Sequence, residues 1–216
     1  MIESKLSKLQ SEFLDEFFRR DSRFFLTGGA ALAGFYLGHR ETYDLDLFTL
    51  ENEIESGARL VAEVATSTGA TVEPIQTSPD FRRFLVSRTD ESIVVDLVRE
   101  YVFQIETDKR VINGIRIDTP DEILANKLCA LLSRSEIRDL VDVRQLEIAG
   151  NELDTALEFA SKKDSGFSPA QLAWILSQIT IGDDAVLPDR TVAADLRMYL
   201  NDLVKRLSIR GFPGEN

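Results

Sequence analysis

Hydrophobic positions in residues 1–119 follow two different periods. Apolar residues at spacings of three and four predict an amphipathic helix over residues 3–20, namely Leu6, Leu9, Phe13 and Phe17. The same helical spacing returns over residues 30–38 and 53–67. Short apolar or alternating runs predict strands at residues 23–27, 42–48, 70–76, 81–88, 92–98 and 115–118. We therefore predict a small mixed sheet flanked by helices in this part of the chain.

After Pro120 the strand pattern stops and only helical spacing remains. Helices are predicted at residues 121–133, 135–149, 152–162, 169–180 and 190–208. The change of pattern predicts two domains, an α/β core over residues 1–119 and a helical bundle over residues 120–216. The fold class predicted for the whole chain is therefore α+β.

Composition narrows the chemistry that the chain can perform. The 216 residues include one cysteine and one histidine, which excludes an internal disulfide and a Cys/His zinc site. The net charge of −12 argues against coating nucleic acid with the whole surface, although a local basic groove is compatible with it. No apolar run approaches the roughly 18 residues of a membrane helix, and the N-terminus lacks a signal-peptide core. A cytoplasmic protein is expected.

Two motifs lie close together between residues 24 and 48. Gly28-Gly29 joins a predicted strand to a predicted helix, where free backbone N–H groups favour a bound phosphate. Asp44 and Asp46 follow at alternate positions of a strand, so both carboxylates lie on one face. Two such charges repel each other unless a divalent cation with oxygen ligands lies between them. The alternative is an exposed strand face with two solvated aspartates.

Asp96 is an acidic residue in the middle of the hydrophobic strand predicted over residues 92–98. Burying an unpaired carboxylate is costly, so Asp96 needs a metal ion or a cationic partner. Beside Asp44 and Asp46 it would supply a third ligand to a metal site. The alternative is a salt bridge to Arg82 or Arg83.

These motifs together resemble the DNA polymerase β-type nucleotidyltransferase superfamily. The segment GGAALAGFYLGHRETYDLDLF is similar to the AbiEii branch, which contains toxins of bacterial abortive-infection and toxin–antitoxin pairs, including the MenT toxins. The resemblance covers roughly residues 24–145 and implies the nucleotidyltransferase fold. It adds Thr42 as a residue that contacts a nucleotide phosphate or, alternatively, caps a turn. Arg40 is expected to reach a phosphate because it lies close to the acidic strand.

A third motif, over residues 121–146, resembles the later motifs of the same branch. Lys127 matches the lysine of that branch, and Arg138, Asp139 and Asp142 match its Arg-Asp-x-x-Asp. The resemblance implies catalytic roles for Lys127 and Asp142 and nucleotide contacts for Lys127 and Asp139. The alternative is that Lys127–Asp142 and Arg134–Asp139 are ion pairs that hold two helices together.

The resemblance implies transfer of NMP from an NTP to an acceptor hydroxyl, with release of pyrophosphate. Two Mg²⁺ or Mn²⁺ ions would be held by Asp44, Asp46 and Asp96. It further implies tRNA 3′ ends as the acceptor and a cognate antitoxin as a partner. The alternatives are transfer to a protein side chain or small molecule, and a catalytically inactive binding module.

Overall fold

A seven-stranded sheet organises the first half of the protein. The computed structural model describes residues 3–188 and 191–211. In these residues the strands are β1 Phe24–Thr27, β2 Asp44–Thr49, β3 Thr71–Ser78, β4 Phe81–Arg88, β5 Glu91–Arg99, β6 Arg110–Ile112 and β7 Ile115–Ile117. Their order in the sheet is β3-β4-β5-β2-β1-β7-β6. The β1–β7 and β2–β5 pairs are parallel and the other pairs are antiparallel.

Helices α1, Lys8–Arg20, and α3, Ile54–Ser67, pack on one face of this sheet. The ring of Phe17 in α1 meets the ring of Phe24 in β1 edge-on, with centroids 5.4 Å apart. A methyl group at Gly57 of α3 would lie 2.5 Å from the Phe24 ring. Glycine therefore allows α3 to approach the sheet closely, and the apolar face of the sheet is buried beneath the two helices.

The helix after β1 is short and irregular. Gly28–Ala31 forms one α-helical turn, α2, and Leu32–Tyr36 continues it as a π-helical turn. A segment of this kind is uncommon and is found frequently at functional sites. The sequence predicts a regular helix over residues 30–38, so the π-helical turn is a departure that spacing alone does not reveal.

Five helices make up the second half of the described chain. They are α4 Pro120–Arg134, α5 Ile137–Ile148, α6 Leu153–Lys163, α7 Pro169–Ser177 and α8 Ala193–Gly211. The predicted α+β class is therefore confirmed. No helix among residues 3–188 and 191–211 has the length and apolarity needed to cross a membrane.

Contacts divide the protein into two compact units. The first contains the described residues up to Tyr101 together with Glu106–Thr119, and the second contains Val102–Ile105 and the described residues from Pro120 onward. The segment Val102–Ile105 thus belongs to the helical unit rather than to the α/β core. Glu122 of α4 accepts a hydrogen bond from the Ile105 N–H at 2.8 Å and forms a buried ion pair with Lys163 of α6.

The element boundaries differ from the sequence-based expectation at a few places. Helix α1 begins at Lys8 rather than residue 3, because Ser7 and Gln10 form a capping box. Strand β6 was not predicted, since three residues are too few to show a hydrophobic period. The helix predicted from residue 190 begins at Ala193, and residue 190 lies outside the described residues.

Candidate active site

A row of polar side chains crosses the sheet on the face opposite α1 and α3. Asp46 in β2 is paired in parallel register with Asp96 in β5, and Arg83 in β4 is the register partner of Asp96. On its other side Asp46 is paired with Thr27 in β1. Register partners project to the same face, and neighbouring strands lie about 4.8 Å apart. The four side chains therefore share one narrow strip.

Strand β2 presents its two aspartates to this face as the sequence predicts. Asp44 and Asp46 are half-buried, whereas Leu45 and Leu47 are fully buried on the other face. The predicted alternation is confirmed, and it places Asp44 two residues from Asp46 on the same side as Asp96. Three carboxylates thus lie on one part of the sheet surface.

Asp96 is bound to an arginine in this structure. The Arg83 Nε and Nη2 atoms donate hydrogen bonds to the two carboxylate oxygens of Asp96, at 2.8 and 2.6 Å. These hydrogen bonds raise the pKa of Arg83, and the negative charges of Asp96, Asp44 and Asp46 add to the effect. The salt bridge considered as the alternative for Asp96 is therefore present, and Arg83 rather than Arg82 forms it. Arg82 pairs with Glu55.

The acids do not form a ready metal cluster in this conformation. Among the residues that the structure describes, no group of three or more His, Cys, Asp or Glu side chains is arranged to hold a metal ion. Arg83 supplies a physical reason, because its guanidinium occupies both oxygens of Asp96. The donor set itself fits a hard divalent cation, since Asp44, Asp46 and Asp96 offer only oxygen atoms from one face. Their role as metal ligands stays a prediction.

The glycine turn lies directly beside the acids. Strand β1 ends at Thr27 and α2 begins at Gly28, which has a φ of +64°. A methyl group at Gly28 would overlap the carboxylate of Asp46. Both the backbone angle and the close approach therefore require glycine at this position. The structure brings the two sequence motifs, Gly28-Gly29 and Asp44/Asp46, together.

Arg40 and Thr42 lie behind the second glycine. A methyl group at Gly29 would be 2.7 Å from the Arg40 Nη2 atom and 3.4 Å from the Thr42 Oγ1 atom. Arg40 is 5% exposed and donates a hydrogen bond to the Glu41 carbonyl at 2.9 Å. Both side chains are buried against the turn, so they support its shape. Phosphate contacts by Arg40 and Thr42 stay predictions.

Thr27 is a site residue that the sequence analysis missed. It is 3% exposed, and within the described residues its Oγ1 atom has no hydrogen-bond partner. A buried hydroxyl without a partner is costly, so Thr27 is suited to hydrogen bonding with a ligand on this face. Its one sequence signal is its position immediately before the glycine pair.

Lys127 forms the centre of a second charged cluster, in the helical unit. Its Nζ atom lies 2.6 Å from Asp139 Oδ1 and 2.8 Å from Asp142 Oδ2. The Arg134 Nε atom is 2.8 Å from Asp139 Oδ2. The ion pairs considered as the structural alternative are therefore present and join α4 to α5. Catalytic and nucleotide-binding roles for Lys127, Asp139 and Asp142 stay predictions.

The charges in this cluster stabilise one another. Burial alone would lower the pKa of Lys127, but the carboxylates of Asp142 and Asp139 raise it above its usual value. Burial would also raise the pKa of Asp139, whereas Lys127 and Arg134 together lower it below its usual value. The ammonium group of Lys127 and the carboxylate of Asp139 are thus held in their charged forms.

The basic pairs along the chain are largely engaged in ion pairs. Lys109 lies 2.7 Å from Asp118, and Arg206 lies 2.7 Å from Glu147. Arg82 and Arg83 bind Glu55 and Asp96, as described above. These contacts reduce the positive charge that the pairs could offer to a polyanion.

Comparison with known proteins identifies the family. The family model described as nucleotidyl transferase AbiEii toxin, type IV toxin–antitoxin system, matches residues 12–206. The chain belongs to this family. It is thus a toxin-family nucleotidyltransferase, and the resemblance in the sequence is confirmed. Members of this nucleotidyltransferase family generally use an NTP and a divalent metal ion. Membership of a toxin family in general implies a cognate antitoxin.

Solved structures share the fold of this AbiEii-family chain. A putative nucleotidyltransferase from H. pylori is 22% identical, with a TM-score of 0.63 over 97% of this chain and 96% of that chain. JHP933 from Helicobacter pylori is also 22% identical, with a TM-score of 0.63 over 93% and 89%. MenT4, a nucleotidyltransferase toxin from Mycobacterium tuberculosis H37Rv, is 15% identical, with a TM-score of 0.57 over 92% and 81%. These likenesses confirm the predicted nucleotidyltransferase fold. No curated protein sequence matches the chain significantly.

Proposed function

We propose that this AbiEii-family protein transfers NMP from an NTP to an acceptor hydroxyl in a reaction that requires divalent metal. The observation that carries the proposal is the register pairing of Asp46 with Asp96, with Asp44 two residues away on the same face. The glycine turn at Gly28 lies against Asp46. Acids and a phosphate-binding turn in one place suit the handling of a metal–triphosphate substrate.

In the proposed reaction, the acceptor oxygen forms a bond to the α-phosphorus of the NTP. The bond between the α-phosphorus and the bridging oxygen breaks, and pyrophosphate leaves with that oxygen. The Gly28 and Gly29 N–H groups hold the β- and γ-phosphates, while Arg40 and Thr42 keep the turn in shape. Asp96 accepts the proton of the acceptor hydroxyl.

Asp44, Asp46 and Asp96 would hold two Mg²⁺ or Mn²⁺ ions. Metal bound there would lower the pKa of the acceptor hydroxyl and would neutralise the charge of the triphosphate and of the leaving group. The contribution of the protein is positioning and preorganised charge, since none of its side chains becomes covalently modified in this scheme.

Lys127 would supply positive charge to a bound nucleotide, with Asp139 and Asp142 orienting its ammonium group. Supporting this, Asp139 and Asp142 lie at 2.6 and 2.8 Å from Nζ and keep the lysine charged. An ammonium group has three N–H donors, so one remains for a third acceptor after the two aspartates are bound. A phosphate oxygen would fill that place.

The proposed acceptor is the 3′ end of tRNA, a hydroxyl nucleophile that the family resemblance suggests. One observation favours the alternative acceptor, a protein side chain or small molecule. The net charge is −12, and the basic pairs at Arg82-Arg83 and Lys109-Arg110 are largely engaged by carboxylates. A polyanionic acceptor would gain little from these side chains.

A labelling experiment separates the two acceptors. The protein is incubated with each α-³²P-labelled NTP, Mg²⁺ and total tRNA, and the products are separated by size. Label in tRNA supports the tRNA acceptor, and label in protein or small solutes supports the alternative. Absence of label with every nucleotide, acceptor and metal would contradict the transferase proposal. Asp46→Ala should remove the label, whereas Asp90→Asn, at an exposed aspartate in the turn between β4 and β5, should retain it.

A further inference from the structure

Arg83 and a metal ion require the same carboxylate. Both Asp96 oxygens accept hydrogen bonds from the Arg83 guanidinium, and the Asp96 side chain is only 7% exposed. A divalent ion at Asp96 would lie next to a positive charge that is already bonded to its ligand. Two cations competing for one buried carboxylate oppose each other's binding.

The Arg83 guanidinium is placed so that it can move away from Asp96. Its side chain is 42% exposed, so the guanidinium can reach water without disturbing the core. Its Cζ atom also lies 5.6 Å from the centre of the Phe81 ring, on the same strand. An arginine stacked on an aromatic ring retains part of its stabilisation when it loses a carboxylate partner. The ion pair is therefore displaceable in a way that the buried Lys127 cluster is not.

We propose that Arg83 is a built-in competitor for metal at Asp96, a role that rests on the proposed metal-dependent function. Without nucleotide, the guanidinium neutralises Asp96 and keeps the affinity of the site for free metal low. A metal–nucleotide complex brings phosphate charge of its own, which offsets the cost of displacing Arg83. Metal loading at Asp96 is thereby coupled to arrival of the nucleotide.

The neighbouring Arg82 provides a matched control. It carries the same charge on the same strand, but its partner is Glu55, and alternation places it on the opposite face from Asp96. Removal of Arg82 changes the net charge by the same amount without opening Asp96. A difference between the two variants therefore reports the contact rather than the total charge.

The experiment measures binding of Mn²⁺ to the full chain by electron paramagnetic resonance, without nucleotide. Arg83→Gln should tighten Mn²⁺ binding by about tenfold or more, because a bidentate charge-assisted pair is removed. Arg82→Gln should change it by less than about twofold. Adding a non-hydrolysable NTP analogue should strengthen Mn²⁺ binding in the parent protein much more than in Arg83→Gln.

Unchanged or weaker Mn²⁺ binding in Arg83→Gln, with binding in the parent protein intact, would overturn the competitor role and leave the proposed function standing. Absence of Mn²⁺ binding in every variant, with and without nucleotide, would overturn both. Circular dichroism checks that the variants fold. Should Arg83→Gln not fold, Arg83→Lys replaces it, since lysine keeps the charge but not the two-pronged contact. Its expected result is binding of intermediate strength, and affinity equal to the parent would overturn the competitor role.

Discussion

The two acidic clusters of this protein use the same residue types in opposite ways. On the sheet face, Asp44 and Asp46 are half-buried side chains two residues apart on the same side of one strand. In the helical unit, Asp139 and Asp142 are almost fully buried and share Lys127. The first cluster has an excess of negative charge that suits a metal–nucleotide ligand. The second is neutralised by the chain's own cations.

Burial changes the contribution that an aspartate makes to stability. A buried carboxylate must be paired within the protein, so its removal is felt as a loss of stability. A partly exposed carboxylate depends less on a partner within the protein, so its removal should affect stability less. Substitutions in the two clusters should separate the two cases.

Asp46→Asn should abolish nucleotide transfer while leaving the fold intact. We expect a loss of at least about 1,000-fold in the transfer rate, because a proposed metal ligand is removed. Asparagine has nearly the same shape as aspartate, so the variant should remain folded. Transfer rates and urea unfolding of Asp46→Asn and Asp90→Asn measure both effects. Activity close to that of Asp90→Asn would show that the sheet acids are not catalytic.

Lys127→Met should have its main effect on stability. It leaves Asp139 and Asp142 buried without their shared cation, which should cost about 3–5 kcal/mol. The exposed Lys205 in α8 gives the matched variant Lys205→Met, for which a change below about 0.5 kcal/mol is expected. Urea unfolding measures both. Equal stability of the two variants would contradict the structural role of the cluster, and lost transfer in folded Lys127→Met would support phosphate contact.

Gly28→Ala should combine backbone strain with a steric clash in the site. Gly28 and Gly69 have similar positive φ angles, +64° and +71°, but a methyl group at Gly69 meets nothing within 4 Å. Gly69→Ala should therefore cost only the strain, about 1 kcal/mol. Gly28→Ala should cost more and also slow transfer by at least about tenfold, because Asp46 must move. Thermal unfolding and transfer assays compare the two variants. Equal stabilities and equal transfer rates would show that the close approach of Gly28 to Asp46 does not require glycine.

Acid should weaken the charged cluster around Lys127 by protonating Asp139. The pKa of Asp139 is lowered in the folded protein from 3.8, so its stabilisation is present above that pH and is lost as pH falls below it. The pKa of Lys127 is raised from 10.5, so its contribution is lost only as pH rises above that value. Asp139→Asn should therefore show a shallower loss of stability below pH 3.8. Urea unfolding from pH 6 to pH 2.5 tests this, and parallel curves would contradict it.

Local patterns in the sequence were enough for the positions of most helices and strands and for the common face of Asp44 and Asp46. Alternation is a property of a single strand, and the spacing of three and four is a property of a single helix. The family, and with it the fold, was also recognisable from motifs in the sequence. The π-helical turn and strand β6 were not predicted, because both segments are too short to show a hydrophobic period.

The partners of the site residues were decided by tertiary structure. The sequence suggests Arg82 or Arg83 for Asp96, and only the register of β4 against β5 selects Arg83. The pairing of Thr27 with Asp46, and the sharing of Lys127 by two aspartates, likewise depend on contacts between separate elements. Such contacts are set by how whole elements pack, since a shift of one residue in register turns every side chain to the other face.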